Sequence, residues 1–407
     1  MTTIKDSGHD HISVTGVCAA LLDTPAVQRL RRVSQLGTAG LVYPSANHTR
    51  FEHALGVYYL ADRALSHLGV AGQQAERVRA AALLHDVGHG PYSHNIEMLL
   101  ARHTGRYHDE VEHLVGSGEI ARVLSDHGLN PDRVARLIAG EGRFGQLVSG
   151  ELDVDRMDYL VRDAHHTGVP YGTVDHERLV RELRYVDDEL VLDEGNVQTA
   201  ESVLLARALM NPTVYRHSVA RIAKTTLRRA TERLLDETET DAETVARMDD
   251  YELRVALRQC GATADAARRL DTRDLFKRAV WAEMAAVPES LRSADHTEIR
   301  DLEREIAADA GVEPTSVSLD VPAEPTMTET SARVVVNGEV RRLGEQSTLV
   351  SALRAAQRDQ WRLGVYAPGK ESDRVGNAAI RTLGLDLSGA LVRDVRPGIN
   401  ATLEDFE

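Results

Sequence analysis

The sequence predicts a mainly α-helical protein that ends in a small α+β region, and three observations carry that prediction. Apolar residues recur at helical spacing from Thr24 to about Leu235. Aromatic residues make up only 4% of the chain, so the core falls to Ala, Leu and Val, which suit closely packed helices. Beyond Val312 the pattern changes to short alternating runs around an Asn-Gly turn. A chain of 407 residues has room for a large domain and a smaller one. The expected division is 1–235, a helical extension over 236–311, and a C-terminal region over 312–407.

The elements follow in order. Asp23-Thr24 precedes Pro25, which suits a cap followed by proline at the first helical position. Helices are expected over Ala26–Leu36, Phe51–Leu68, Gln73–His85, Ile96–His103, His108–Val115, Gly118–His127, Pro131–Ala139 and Asp153–His165. Between Glu182 and Asp193, strand-like alternation around Asp187-Asp188 predicts a hairpin. Two long helices follow, Thr199–Met210 and Pro212–Leu235, and then an acidic linker at Asp236–Thr244. Helical pattern returns at Tyr251–Arg258 and Asp274–Ala285. Ala332–Leu343 reads as a second hairpin, Ser351–Gln360 as a helix and Leu363–Tyr366 as a strand.

The formal charge of −15 argues against a polynucleotide as partner, because neutralising phosphates needs a basic surface. Cys18 and Cys260 lie far apart and form neither a ligand pair nor a disulfide pattern, so both are expected as buried thiols. No apolar run approaches the roughly 20 residues of a membrane span, and the first residues lack an apolar leader. A soluble, cytoplasmic protein is therefore expected.

The chemistry concentrates in Leu83-Leu84-His85-Asp86-Val87-Gly88-His89-Gly90-Pro91-Tyr92-Ser93-His94. Adjacent side chains on a helix diverge by about 100°, so His85 and Asp86 can serve one point only where the backbone bends or a cation draws them together. Upstream, Arg50-Phe51-Glu52-His53 adds an imidazole, and downstream Asp153-Val154-Asp155-Arg156-Met157-Asp158-Tyr159 adds carboxylates. The ordered set His53, His85, Asp86 and Asp155 supplies two nitrogen and two oxygen ligands, which suits a divalent ion that keeps positions open for water. The donors do not select among Mn, Fe, Mg and Zn. His89, His94 and His108 lie close by in sequence, with Glu97 three residues after His94.

Together with Gln28-Arg29-Leu30-Arg31 and Gln35-Leu36-Gly37, these motifs make the chain similar to the HD-domain phosphohydrolases, and among them to the deoxynucleoside triphosphate triphosphohydrolases. The resemblance runs from about Ile4 to Arg229. It implies an HD-domain helical bundle, a divalent metal at His53, His85, Asp86 and Asp155 rather than at Asp153, and a dNTP substrate. By the same resemblance His89 and His94 meet the α-phosphate, while Glu97 and His108 assist catalysis, with Glu97 replacing the aspartate of the family. Arg50, Arg156 and Arg207 would contact phosphates. Gln35, Tyr159 and Asp163 would hold the sugar 3′-hydroxyl, and Leu36 and Tyr215 would crowd the 2′ position and favour deoxyribose.

Asp23, Gln28 and Arg31 match residues that read a guanine-nucleotide effector between subunits in regulated members, which implies a homo-oligomer, dimer or tetramer. Thr2 stands where those members carry a phosphate-binding lysine, so such activation is expected to be weak. Two further readings differ in product. A phosphodiesterase or nucleotidase would release orthophosphate or a linear nucleotide, and a nucleotide-sensing module would release nothing.

Overall fold

The structure is a computed structural model that describes residues 2–172, 174–325 and 331–386. It divides into two compact units, 1–272 with 327–354, and 273–326 with 355–407. The boundary therefore falls well before Val312, and the Ala332–Leu343 hairpin belongs to the first unit rather than the second. The reason is strand pairing between segments far apart in the chain, which no local pattern reports.

The first unit opens with a hairpin absent from the sequence prediction, β1 (Thr2–Asp6) and β2 (Asp10–Val14). Helices dominate thereafter. The expected helix over Ala26–Leu36 is shorter: Pro25–Arg29 is α-helical and Leu30–Arg32 continues as a 3-10 turn. Arg50–His67 and Gly72–Leu84 are the central helices, and Leu55, Leu60, Leu83 and Leu84 are wholly or almost wholly buried in the core. The expected helix from His108 forms only over Glu112–Val115, which leaves His108 in an irregular loop. Asp153 caps the Val154–Thr167 helix. The two long helices after the hairpin are Val197–Met210 and Ser218–Glu237, separated by a π-turn at Asn211–Tyr215.

The Glu182–Asp193 hairpin forms as β3 (Leu183–Val186) and β4 (Glu189–Leu192), with Asp187 and Asp188 at positive φ as a tight two-residue turn requires. In the second unit β5 (Lys277–Glu283) corrects an expected helix over Asp274–Ala285, and β6 is Ser318–Asp320. The Asn-Gly hairpin forms as β7 (Arg333–Val336) and β8 (Glu339–Arg342). β4 pairs with β7 in parallel through Val191 and Leu192, giving a four-stranded sheet in the order β3-β4-β7-β8.

The second unit is a three-stranded sheet in the order β5-β9-β6, with β9 at Arg362–Ala367 antiparallel to both neighbours. The helices His296–Ala310 and Ser372–Thr382 pack around it, over a core that includes Val280, Ile306, Trp361 and Val365. The apolar run around Val280 is too short for its period to separate strand from helix, and pairing with β9 decides it. Cys18 is buried as expected, whereas Cys260 is only half-buried. Among the described residues no helix is long and apolar enough to cross a membrane.

Candidate metal centre

Three helix ends build the site. The backbone N–H of Thr49 donates to Glu52 at 2.6 Å, which fixes the start of the Arg50–His67 helix and places Arg50 and His53 one turn apart on the same face. The Gly72–Leu84 helix ends at His85, so the His-Asp pair sits where the backbone leaves the helix. Gly88 permits the bend: a Cβ there would lie 2.1 Å from the carbonyl oxygen of His108. In the third helix Asp153 accepts from the backbone N–H groups of Arg156 and Gly150 at 2.7 and 2.8 Å. Its carboxylate is occupied as a cap, and Asp155 in the first turn is the one that reaches the histidines.

His53 Nε2 lies 2.8 Å from Asp155 Oδ1, 3.3 Å from His85 Nε2 and 3.7 Å from Asp86 Oδ2. One ligand atom each from His53, His85 and Asp86 falls within 4.8 Å of the others, and all three residues are buried. The tautomers follow from the other ring nitrogens. His53 Nδ1 pairs with Asp158 Oδ2 at 2.8 Å, and His85 Nδ1 with the carbonyl of Ala82 at 2.8 Å. Both Nδ1 atoms are therefore donors, which leaves the two Nε2 atoms facing each other beside two carboxylates as the positions open to a proton or a metal ion. That arrangement calls for positive charge between them. Burial disfavours the His53 imidazolium, yet hydrogen bonds to Asp155 and Asp158 and the charge of Asp86 outweigh it and push its pKa up to about 10. The donor set fits a divalent cation, which would satisfy the same demand.

A buried chain of charges lies behind His53. Asp158 accepts from His53, from His9 Nε2 at 2.6 Å, and from Arg162 Nε and Nη2 at 2.8 and 3.0 Å. Arg162 reaches on to Asp6 at 2.9 Å. Burial would raise the Asp158 carboxyl, but Arg162, His53 and His9 hold it well below the usual carboxylate range. The sequence reading gave Asp158, Arg162, His9 and Asp6 no role. Gly56, in the middle of the Arg50–His67 helix, was the available signal, since a Cβ there would lie 1.8 Å from Asp158 Oδ1.

His89, His94 and His108 also come together. The His89 and His108 rings stack at 3.9 Å, and His94 stands nearly perpendicular to both. Glu97 bridges two of them, 2.8 Å from His94 Nδ1 and in direct contact with His108 Nδ1. Burial opposes ionisation of Glu97, but the His108 and His94 bonds hold its carboxyl well below the usual range. His89 Nε2 lies 3.3 Å from Asp86 Oδ1, next to the metal-ligand cluster.

Of the expected phosphate contacts, Arg50 is buried and donates to Asp86 at 2.9 Å and to the Ser93 hydroxyl at 2.8 Å. Arg156 donates to the carbonyl of Glu151 and bonds to Tyr159. Arg207 is half-buried, and its charge bears on Tyr159. Tyr159 extends the site, its ring 6.5 Å from His53 and 6.3 Å from Tyr215. Tyr215 donates to Asp163 Oδ2 at 2.9 Å, while His48 holds Oδ1 at 2.8 Å. Gln35 is buried and Leu36 half-buried, on a segment whose Gln35 N–H donates to the His48 carbonyl. On another part of the surface, Gln28 donates to the carbonyl of Leu22 and accepts from Arg31 at 2.9 Å. The Arg31 guanidinium lies 3.5 Å over the Phe51 ring, and Asp23 is exposed.

Comparison with known proteins agrees with this geometry. Residues 50–163 match the HD domain, and residues 174–394 match the HD associated region. An uncharacterized protein of Methanocaldococcus jannaschii, MJ1154, is 31% identical over 380 residues, covering 90% of this chain and 79% of its own length. The human deoxynucleoside triphosphate triphosphohydrolase SAMHD1 is 33% identical over 271 residues, with 55% of this chain and 43% of that protein covered. The chain thus spans less than half of the human protein. Among solved structures, a hypothetical protein from Aquifex aeolicus superposes with a TM-score of 0.77 at 29% identity, over 93% of this chain and 99% of the other. A phosphohydrolase from Bacteroides thetaiotaomicron gives 0.72 at 26% identity, over 90% of this chain and all of the other. With two imidazoles and two carboxylates converging where three helix ends meet, the chain belongs to the HD-domain family and is a metal-dependent phosphohydrolase.

Proposed function

We propose that the protein hydrolyses deoxynucleoside triphosphates to a deoxynucleoside and tripolyphosphate, with His53, His85, Asp86 and Asp155 holding the metal. The observation that carries this reading is the row that starts at the metal ligands and runs through Tyr159 and Tyr215 to Asp163. Aromatic rings and a carboxylate beside a phosphoester-cleaving centre suit a sugar ring and its 3′-hydroxyl, and Tyr215 with Leu36 leaves a ribose 2′-hydroxyl without room or partner. The identity to human SAMHD1 supports the same substrate class.

When bound, a divalent cation supplies an activated water and neutralises phosphoryl charge. The side chains do the rest. Water oxygen bonds to the α-phosphorus, the bond from phosphorus to the 5′-oxygen breaks, and a proton must reach that oxygen. Glu97, held ionised, accepts from the Nδ1–H groups of His94 and His108 and orients both rings, so that a proton on the far nitrogen of one of them can be delivered to the leaving oxygen. His89 and Arg50 face the phosphate, and Arg156 and Arg207 balance the remaining charge, for which the guanidinium fork is well shaped.

In the same reading the active species is a homo-oligomer weakly activated by guanine nucleotides through Asp23, Gln28 and Arg31. Arg31 and Arg32 line a cavity of about 270 Å³ beside Ser34, Tyr92 and Asp250, while Asp23 and Gln28 lie outside its wall. Incubation with each dNTP and several divalent metals, with and without GTP, followed by separation of the phosphate products, tests the whole reading. Tripolyphosphate is the expected product. Orthophosphate or a linear nucleotide would favour a nucleotidase or phosphodiesterase, and metal-loaded protein inert to every nucleotide would favour a sensing module.

A further inference from the structure

The loop that carries His94 holds two consecutive non-glycine residues in the left-handed region, Tyr92 at φ 55° and Ser93 at φ 53°. Each is unfavourable for an L-residue by about 1 kcal/mol or more, and such a conformation persists only when its surroundings enforce it. Ser93 sits at a junction. Its hydroxyl accepts from Arg50 Nε at 2.8 Å and donates to the Ser34 carbonyl at 2.7 Å, while the other arm of Arg50 holds Asp86. The backbone angles at Tyr92 and Ser93 therefore set where Arg50 and His94 stand.

What enforces those angles comes from outside the matched HD domain. Asp250, buried at the start of the Asp250–Gln259 helix, accepts from the Tyr92 N–H through Oδ1 at 2.6 Å. Its Oδ2 accepts from the Ser34 N–H at 3.0 Å and from the Ser34 hydroxyl. Helix N-termini favour a carboxylate at such a position. The same segment is tied to the His-Asp loop a second time, because Arg29 donates to the carbonyls of Met248, Val87 and His89 at 2.8, 3.1 and 2.6 Å. Residues 248–250 hold the loop directly at the Tyr92 amide and, through Arg29, at the Val87 and His89 carbonyls.

We propose that Asp250 is a positioning residue for the hydrolysis: by holding the left-handed Tyr92–Ser93 step against Ser34 it fixes Arg50 and His94 for the phosphate. The proposal rests on the reading of Arg50 and His94 as substrate-facing groups, and it gives the HD associated region a positioning part in the reaction. Asp250 touches no substrate and acts through Ser93.

The test uses the full chain loaded with its metal and two readouts. Amide hydrogen exchange over residues 90–96 should accelerate in Asp250→Asn, which keeps one acceptor where two are needed, while metal content and the far-UV spectrum stay at wild-type values. Turnover of the best dNTP should fall about tenfold to a hundredfold in Asp250→Ala, and less in Asp250→Asn. Ser93→Ala should lower turnover too, and the Asp250→Asn, Ser93→Ala double variant should be no slower than Ser93→Ala alone within about twofold, because both substitutions cut the same link. If Asp250→Ala does not fold, the Asp250→Asn cycle carries the decision. Unchanged exchange over 90–96 would overturn the clasp, and fully additive losses would overturn its part in the reaction. Wild-type protein inert to every dNTP would instead refute the proposed function, and the exchange measurement would still decide the clasp.

Discussion

Asp158→Asn is the most informative single substitution, because it preserves shape and removes one charge from the chain behind the metal ligands. Asp158 makes hydrogen bonds to His53, His9 and, through two nitrogens, Arg162, and it is wholly buried. An asparagine can still accept through one oxygen but must present an amide to donors on the other side. Arg162 retains Asp6, so the cost should sit near the lower end for breaking a buried ion pair, about 3 kcal/mol. His53 loses the anion that orients its ring and raises its basicity, which should weaken metal binding by about tenfold to a hundredfold. Chelator competition reads the affinity. Urea unfolding must be followed by far-UV circular dichroism, because both tryptophans, Trp281 and Trp361, lie in the second compact unit and their fluorescence would miss the first. In the wild type, Asp6 and Asp158 both have depressed pKa values, so their stabilisation is present above the ordinary aspartate range and is lost as pH falls through the depressed values. The variant should lose part of that acid dependence. Unchanged metal affinity together with unchanged stability in Asp158→Asn would refute the reasoning.

Replacing both His85 and Asp86 by alanine should remove bound metal and all turnover without unfolding the helices, as elemental analysis and circular dichroism would show; full metal content with normal rates would exclude this site. Glu97→Gln should lower kcat with little change in substrate affinity. Because the Glu97 carboxyl is depressed, its contribution to stability is constant above the ordinary glutamate pKa and fades only as pH drops towards the lower folded value, so the gap between wild type and variant in acid titrations should close there. Tyr215→Ala should narrow the preference for dNTPs over NTPs, and equal wild-type rates on dGTP and GTP would count against crowding at the 2′ position. Asp23→Ala should abolish any activation by GTP while leaving metal content intact; activation that survives would assign Asp23 to structure alone.

The proposed metal ligands could be picked out in the sequence because each sits within a short motif at a helix end, where chain order and residue type survive without coordinates. Asp155 could not be separated from Asp153 on residues alone; the capping bonds to Arg156 and Gly150 make the difference, and they depend on where the helix begins. β5 was misread for a different reason, since its partner β9 lies far along the chain and a short apolar run carries no usable period. Asp158 and Asp250 were invisible because an acidic residue on a helix reads as solvated unless its environment is known. Both nevertheless left a mark elsewhere in the chain. Gly56 interrupts a helix where glycine costs about 1 kcal/mol relative to alanine, and it does so to admit the Asp158 carboxylate. Tyr92 and Ser93 take a backbone conformation that local preference disfavours, and the Asp250 carboxylate is what meets the Tyr92 amide. In both places a residue that is locally wrong answers to a buried carboxylate that is distant in sequence; Asp158 touches His53 directly, and Asp250 reaches Arg50 through Ser34 and Ser93. Departures from local preference are therefore the place to search for the supporting residues of this site, which the catalytic motifs do not contain.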